Sequence, residues 1–297
     1  MKKIFLRILF FGFLAFGLFA AYKTYSKHLE DKRRATFYED LKDTSSPTVT
    51  VLRDSILIGY QNEKRTIHIY VPPNYHKDSL TRYPVIYFLD GNSSFNDLEC
   101  KGPEWQVDEL INAASANGKQ TAIVVGINNA ADRDAEYTPF VNEDNPNAHG
   151  DKFAKWVAKD LKKWIDTNYR TKSEAMATSI GGISRSGMMA YYMLMAYPDI
   201  IGNAIIQSPA MWVDYDRLLA MNLSKEQLTK KKIFISVGSN EGYMISDAES
   251  IYKKFKEQGM DIDALRFEII TGGQSNGGHW NMTWRESFAL CYPWLMK

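Results

Sequence analysis

From about residue 48 onward, short apolar runs alternate with segments of helical period. Thr48 to Val51 and Ile56 to Tyr60 are strand-like, and Arg65 to Val71 alternates with Ile67, Ile69 and Val71 on one face. Pro72-Pro73 stops that strand. Val85 to Leu89 and Thr121 to Ile127 are continuous apolar runs, the pattern of strands buried on both faces. Ala175 to Ile183, Ala204 to Gln207, Ile233 to Val237 and Leu265 to Ile270 complete the predicted strands. Between them lie predicted helices: one after Pro103 through Val107, Leu110 and Ile111, one over Met188 to Tyr197, and one over Asp247 to Gln258. Phe153, Trp156, Val157, Leu161, Trp164 and Ile165 recur at helical spacing, as a face packed on a sheet would. This alternation predicts an α/β domain with a mostly parallel central sheet flanked by helices. In such sheets the chemistry sits at the carboxyl ends of the strands.

The first residues differ in kind. Lys2, Lys3 and Arg7 precede the uncharged apolar run Ile8 to Tyr22, the design of a signal anchor or signal peptide. Counting from Ile4, with Arg7 snorkelling to the interface, the run approaches the length of a spanning helix. No good small-residue cleavage site precedes Ala20 or Ala21, so an uncleaved anchor is the reading and a cleaved signal peptide the alternative. The expected organisation is an N-terminal hydrophobic anchor helix over 1–22, a polar linker or stalk over 23–45, and a catalytic domain over 46–297. The expected location is the bacterial inner membrane, with the catalytic domain exported to the periplasm.

Charge is balanced, with 36 basic and 35 acidic residues, and no basic patch points to nucleic acid. Hydrophobic residues make up 45% of the chain, enough for a substantial core. Cys100 and Cys291 lie far apart, either paired or as separate thiols. No Cys-x-x-Cys or His-Glu-x-x-His occurs, so neither a metal nor a cofactor is expected.

The string Gly182-Ile183-Ser184-Arg185-Ser186-Gly187 joins a predicted strand to a predicted helix. Small residues two before and two after Ser184 permit a tight turn that presents the serine oxygen at a helix N-terminus. A serine there can attack a carbonyl and form an acyl intermediate once a base takes its proton. The usual pattern has glycine in place of Ser186, and a plain strand-to-helix turn is the competing reading. Of five histidines, His28 lies in the stalk, His68 in a strand, and His76 and His149 in loops before the serine. His279, in Gly277-Gly278-His279-Trp280 after the last strand, alone fits the chain order serine, acid, histidine. The acid should follow the strand between them. Glu241 does so in Gly238-Ser239-Asn240-Glu241-Gly242, and Asp247, the competitor, is expected to cap the next helix. Oxyanion donors are expected from the backbone N–H of Arg185 and of Asn92, with Gly91 second, where the glycine lets the backbone approach a substrate. Asp90 reads as a turn former.

These strings occur in an order that resembles the putative-esterase (esterase D-like) family of α/β-hydrolases. That family includes siderophore trilactone esterases, feruloyl and acetylxylan esterases, and mycolyl transferases. The matching strings begin with Ile69-Tyr70-Val71-Pro72-Pro73-Asn74-Tyr75 and Tyr83-Pro84-Val85-Ile86-Tyr87-Phe88-Leu89-Asp90-Gly91-Asn92. Val125-Gly126-Ile127, Arg133 and Tyr137-Thr138-Pro139 follow. The serine motif, Ser208-Pro209-Ala210-Met211-Trp212, Asn240-Glu241 and Gly278-His279 complete the set, over about residues 50 to 295. The resemblance implies an α/β-hydrolase fold, Ser184 as nucleophile, Glu241 as acid, His279 as base, and Asn92 and Arg185 as oxyanion donors. Ser186 and the glutamate acid are similar to the mycolyl transferases. The Arg185 guanidinium could receive an anionic group or form a local ion pair. Trp212, Trp280 and Trp284 either line a pocket for an aromatic or sugar-linked acyl group or pack in the core. Asn92-Ser93-Ser94 and Asn281-Met282-Thr283 match glycosylation sequons on the predicted site, which points to a bacterial host.

The function expected is a serine carboxylic-ester hydrolase acting on a small-molecule or glycan-linked ester. Siderophore trilactones and feruloyl or acetyl carbohydrate esters are candidate substrates. Its rivals are an acyltransferase using a sugar or lipid alcohol, and a non-catalytic binding module on the same fold.

Overall fold

The computed structural model describes residues 2–297, with the side chains of residues 2–12, 14 and 15 outside the description. Helix α1 runs from Lys2 to Ala35. Among the described residues, no helix is long and apolar enough to cross a membrane. The anchor expected over 1–22 falls mostly on side chains outside the described residues. Residues 23–45, expected as a linker, are helical to Ala35, continue as a 3-10 turn over Thr36–Tyr38, and only then run on without regular structure.

Eight strands form one sheet: β1 Val49–Ile58, β2 Glu63–Tyr70, β3 Val85–Leu89, β4 Ile123–Ile127, β5 Thr178–Ile183, β6 Asn203–Gln207, β7 Lys232–Gly238 and β8 Leu265–Ile270. Their spatial order is β1-β2-β4-β3-β5-β6-β7-β8. Only β1 with β2 and β2 with β4 pair antiparallel; the rest are parallel. This is the α/β-hydrolase architecture expected from the alternation of elements. The chain leaves β3 to one side for β4 and returns on the other side with β5. Strand order therefore reverses at β3, and a crevice opens beyond the carboxyl ends of β3 and β5. The two loops expected to carry chemistry, after Leu89 and after Ile183, meet there.

The continuous apolar runs have a simple cause. Tyr87, Leu89, Val125 and Ile127 join one core, and Ile86, Phe88, Val124, Ile205 and Phe234 join another. These are alternate residues of the same strands, so both faces of the sheet are buried. The first core also holds residues of α3, built from Gly150–Lys155, the π-helical Trp156–Leu161 and Lys162–Asn168, and of α4, Arg185–Ala196, and α5, Met244–Glu257. The second is covered by α2, Val107–Ala116, and α6, Asn281–Leu295.

The boundaries differ from the sequence reading in three places. The two strand-like segments before residue 60 form a single strand whose register shifts between Leu52 and Ile56, beside Asp54 at φ 42°. Ala175–Ala177 is a 3-10 turn that precedes β5. Helix α6 was not anticipated. Its Pro293 weakens the helical signal but sits in the last turn, where it removes one i→i−4 bond without breaking the helix before its end.

Phe88 centres the second core, with its ring edge-on to Phe288 at 5.2 Å and to Trp105 at 5.7 Å. A Cβ on Gly181 of the neighbouring strand would collide with this ring. Phe88→Ala is expected to lower stability by about 3–5 kcal/mol. Urea denaturation with an unchanged slope and a lower midpoint would register that loss.

Candidate active site

Ser184 lies between β5 and α4 at φ 58°, ψ −120°. A non-glycine residue in that region carries about 1–3 kcal/mol of strain. Three backbone bonds hold it there. Ser184 N–H donates to Gln207 O (2.9 Å), and Ser184 O accepts from Met188 N (3.0 Å) and Ala210 N (2.9 Å). A Cβ on Gly182 would overlap the Ser186 carbonyl, so only glycine closes this turn.

Ser186 occupies the position where glycine is usual, and its hydroxyl is fully used. Its Oγ accepts from Ile183 N (2.8 Å) and donates to Asp90 Oδ2 (2.7 Å). Asp90, left-handed at φ 59°, is gripped by Arg133 through Nε to Oδ1 and Nη2 to Oδ2, both 2.7 Å. Burial pulls the Arg133 guanidinium down, but its hydrogen bonds and charge pairing with Asp90 outweigh this and hold it above its ordinary value. The loop after β3 is thus bolted to the serine turn after β5. Asp90 is a turn former, as expected, and also the centre of this network. Sequence reasoning missed that second role because the partners are 43 and 96 positions away.

Gly91 has a packing use as well. A Cβ there would overlap Gly126 C and Ile127 N, so the glycine lets the chain cross β4 closely. Asn92 sits in the single 3-10 turn Gly91–Ser93, and Arg185 is the first residue of α4. Amides at such positions lack an intrahelical acceptor and are free to face an anion. The Arg185 side chain takes the ion-pair option. Its Nε meets Asp134 Oδ1 at 2.9 Å, Nη1 donates to Thr138 Oγ1 at 2.9 Å, and burial lowers its affinity for the proton.

Glu241 follows β7 with its carboxylate fully buried. Oε1 accepts from Gly238 N (3.0 Å) and Ser208 Oγ (2.8 Å), and Oε2 meets His279 Nδ1 at 3.0 Å. A carboxylate only accepts, so Nδ1 carries the proton and Nε2 is left as the basic nitrogen. Trp284 packs edge-on against the His279 ring at 5.0 Å, and its Nε1 donates to Ser208 Oγ (3.1 Å). Asp247 lies in the first turn of α5 without a side-chain cap bond, in place of the capping role expected for it.

A cleft of about 240 Å³ opens over Ser184, lined by Asn92, Trp105, Asn129, Arg133, Asn281 and Trp284 among others. Trp284 thus touches both this cleft and the histidine. Two tryptophans expected as substrate contacts stand elsewhere. Trp280 is buried, donating from Nε1 to Ser275 O (2.7 Å), because its indole anchors the histidine loop. Trp212 is 49% exposed and packs edge-on against Tyr243. Trp105 takes the wall position, where it donates to Asn281 Oδ1 (3.1 Å). Both cysteines are free thiols, and burial pushes Cys100 up to about 11.

The end of α1 also reaches this region. Arg34 stacks its guanidinium over Trp280 at 4.8 Å and against Gly278, while bonding Glu30 at 2.7 Å. Arg33 Nη1 donates to Gln274 O (2.7 Å), and Phe37 meets Trp280 edge-on at 5.5 Å. The loop that carries His279 is therefore held from outside by residues 33–37. No local sequence signal marks this seating, since the partners lie some 241 positions apart.

Residues 59–295 match the family described as putative esterase. The chain belongs to the putative esterase family. It is 23% identical over 250 residues to the Bacillus subtilis protein YbbA, covering 78% of this chain and 92% of YbbA. To the ferri-bacillibactin esterase BesA of Bacillus subtilis it is 24% identical over 244 residues, covering 71% of this chain and 81% of BesA. The solved structure of a ferulic acid esterase superposes with a TM-score of 0.63 at 17% identity, covering 84% of this chain and 96% of that one.

Two outcomes follow from this geometry. Ser186→Ala strips a partner from the buried Ile183 N–H and Asp90 carboxylate, and should cost about 1–3 kcal/mol in thermal or urea unfolding. Arg34→Ala should speed amide hydrogen exchange across residues 272–280 while leaving exchange in the central strands unchanged.

Proposed function

We propose that this chain is a serine carboxylic-ester hydrolase working through an acyl-enzyme on Ser184. The observation that carries the reading is the His279–Glu241 pair at 3.0 Å, on loops at the same carboxyl-end edge of the sheet as a serine held in a strained strand-to-helix turn. Membership of the putative esterase family supports it. In this reading His279 Nε2 takes the Ser184 proton as Oγ attacks the ester carbonyl. The Asn92 and Arg185 N–H groups hold the oxyanion, typically worth a few kcal/mol per donor. Glu241 stabilises the imidazolium, which then protonates the departing alcohol. A water, deprotonated by the same nitrogen, releases the acid and restores the serine.

For the substrate we propose an ester with an aromatic acyl group. The cleft has Trp105 and Trp284 in its walls for stacking, and Arg133, Asn129 and Asn281 for polar groups. The similarity to a ferri-bacillibactin esterase and a ferulic acid esterase supports this reading. Acyl transfer drew part of its support from Ser186, and that hydroxyl is spent on Asp90 and Ile183.

Hydrolysis of p-nitrophenyl acetate and methyl ferulate by the full chain tests the reading, with a fluorophosphonate probe to locate the nucleophile. Turnover should fall by at least about 10³-fold in Ser184→Ala, with the probe on Ser184 in the unaltered chain. No turnover and no labelling would leave a binding module as the better account.

A further inference from the structure

We propose that Glu104, Asp108 and Glu109 form a calcium-binding site behind the Trp105 wall of the cleft. One carboxylate oxygen from each of the three lies within 4.8 Å of those of the others. Oxygens that share a calcium ion at about 2.3–2.6 Å are separated by no more than about twice that distance, so the spacing suits a common ion.

A second observation concerns hydrogen bonding. The side chains of Glu104 and Asp108 are fully buried. Glu104 Oε1, Asp108 Oδ1 and Glu109 Oε2 all lack a hydrogen-bond partner. Buried oxygens in folded proteins are almost always satisfied, so three unpartnered ones in a single cluster call for a shared cation or for shared protons. The remaining oxygens of the two buried residues are already fixed. Gln106 N–H donates to Glu104 Oε2, and Ser46 N–H donates to Asp108 Oδ2 at 2.7 Å. The carboxylates are thereby held in place with one acceptor each left over.

Charge leads to the same conclusion. Arg285 is the nearest cation in the hydrogen-bond network, but it spends Nε (2.7 Å) and Nη2 on the Glu104 backbone carbonyl. None of the ion pairs among the described residues involves the three carboxylates. Burying carboxylates without an ion-pair partner is costly, and a bound cation would offset that cost. An all-oxygen set rich in carboxylate suits a hard cation, and calcium tolerates the irregular geometry and near-complete dehydration that magnesium resists. Glu109 is only half-buried and leaves an approach from solvent. An ion there would tie together the start of α2, the Ser46 segment and the Glu104-Trp105 turn, and so fix the Trp105 indole in the cleft wall.

The test uses the full chain freed of metal with EGTA. Terbium, which reports calcium sites when a nearby indole is excited, should luminesce through Trp105 and be displaced by calcium. Isothermal titration should give one calcium per chain, and calcium should raise Tm by several degrees relative to EGTA. Glu104→Gln and Asp108→Asn, which keep the shape of the side chains, should each weaken calcium binding at least about tenfold. The wild-type measurements stand even if a variant fails to fold. No sensitised terbium emission and no calcium-dependent change in Tm would overturn the site and leave a proton-sharing cluster. Tighter binding of magnesium than of calcium would overturn the assignment of the ion. None of these readouts depends on ester turnover.

Discussion

Ser184 can hold φ 58°, ψ −120° only because the residues around it are already in place. Its N–H is taken by Gln207 on the neighbouring strand, and its carbonyl by Met188 and Ala210. Ser186, Asp90 and Arg133 add side-chain bonds that join this turn to the loop after β3. The turn is thus strained locally and satisfied globally. Each half of the crevice leans on the other. Loss of the Asp90 carboxylate would loosen both the serine turn and the loop that carries Asn92.

The Glu241–His279 pair is built by another route. Among the described residues Glu241 pairs with no lysine or arginine and is held by three hydrogen bonds, from Gly238 N, Ser208 Oγ and His279 Nδ1. These orient both oxygens, and with them the imidazole. Trp284 links this network to the cleft, since the same indole donates to Ser208, packs on His279 and lines the space over Ser184. Outside the loop, Arg33, Arg34 and Phe37 close over Trp280 and Gly278. A stretch read from its polarity as a linker is therefore partly a support for the histidine loop. A fragment begun after residue 38 would leave that loop without it.

Several features were legible in the chain itself because they are consequences of local patterning. Short apolar runs such as Val85 to Leu89 have the pattern of strands buried on both faces, and their alternation with helical periods points to a mostly parallel sheet. Gly182 and the small residues around Ser184 specify a tight turn, and the order of serine, glutamate and histidine along the chain selects Glu241 and His279. These inferences use neighbouring residues or their succession, which a sequence displays directly.

Other features were decided only in three dimensions. Nothing local distinguishes Trp280, buried under Arg34, from Trp284 and Trp105, which face the cleft. Gly91 owes its identity to a strand more than thirty residues away, and Ser186 owes its hydroxyl partner to Asp90 across the sheet. The three carboxylates near residue 104 look like ordinary surface acids until the fold buries two of them with an oxygen each left unpartnered. Periodicity records which face of an element is buried, because that depends on residues a few positions apart. It does not record which group lies opposite, because that is set by how separate elements pack.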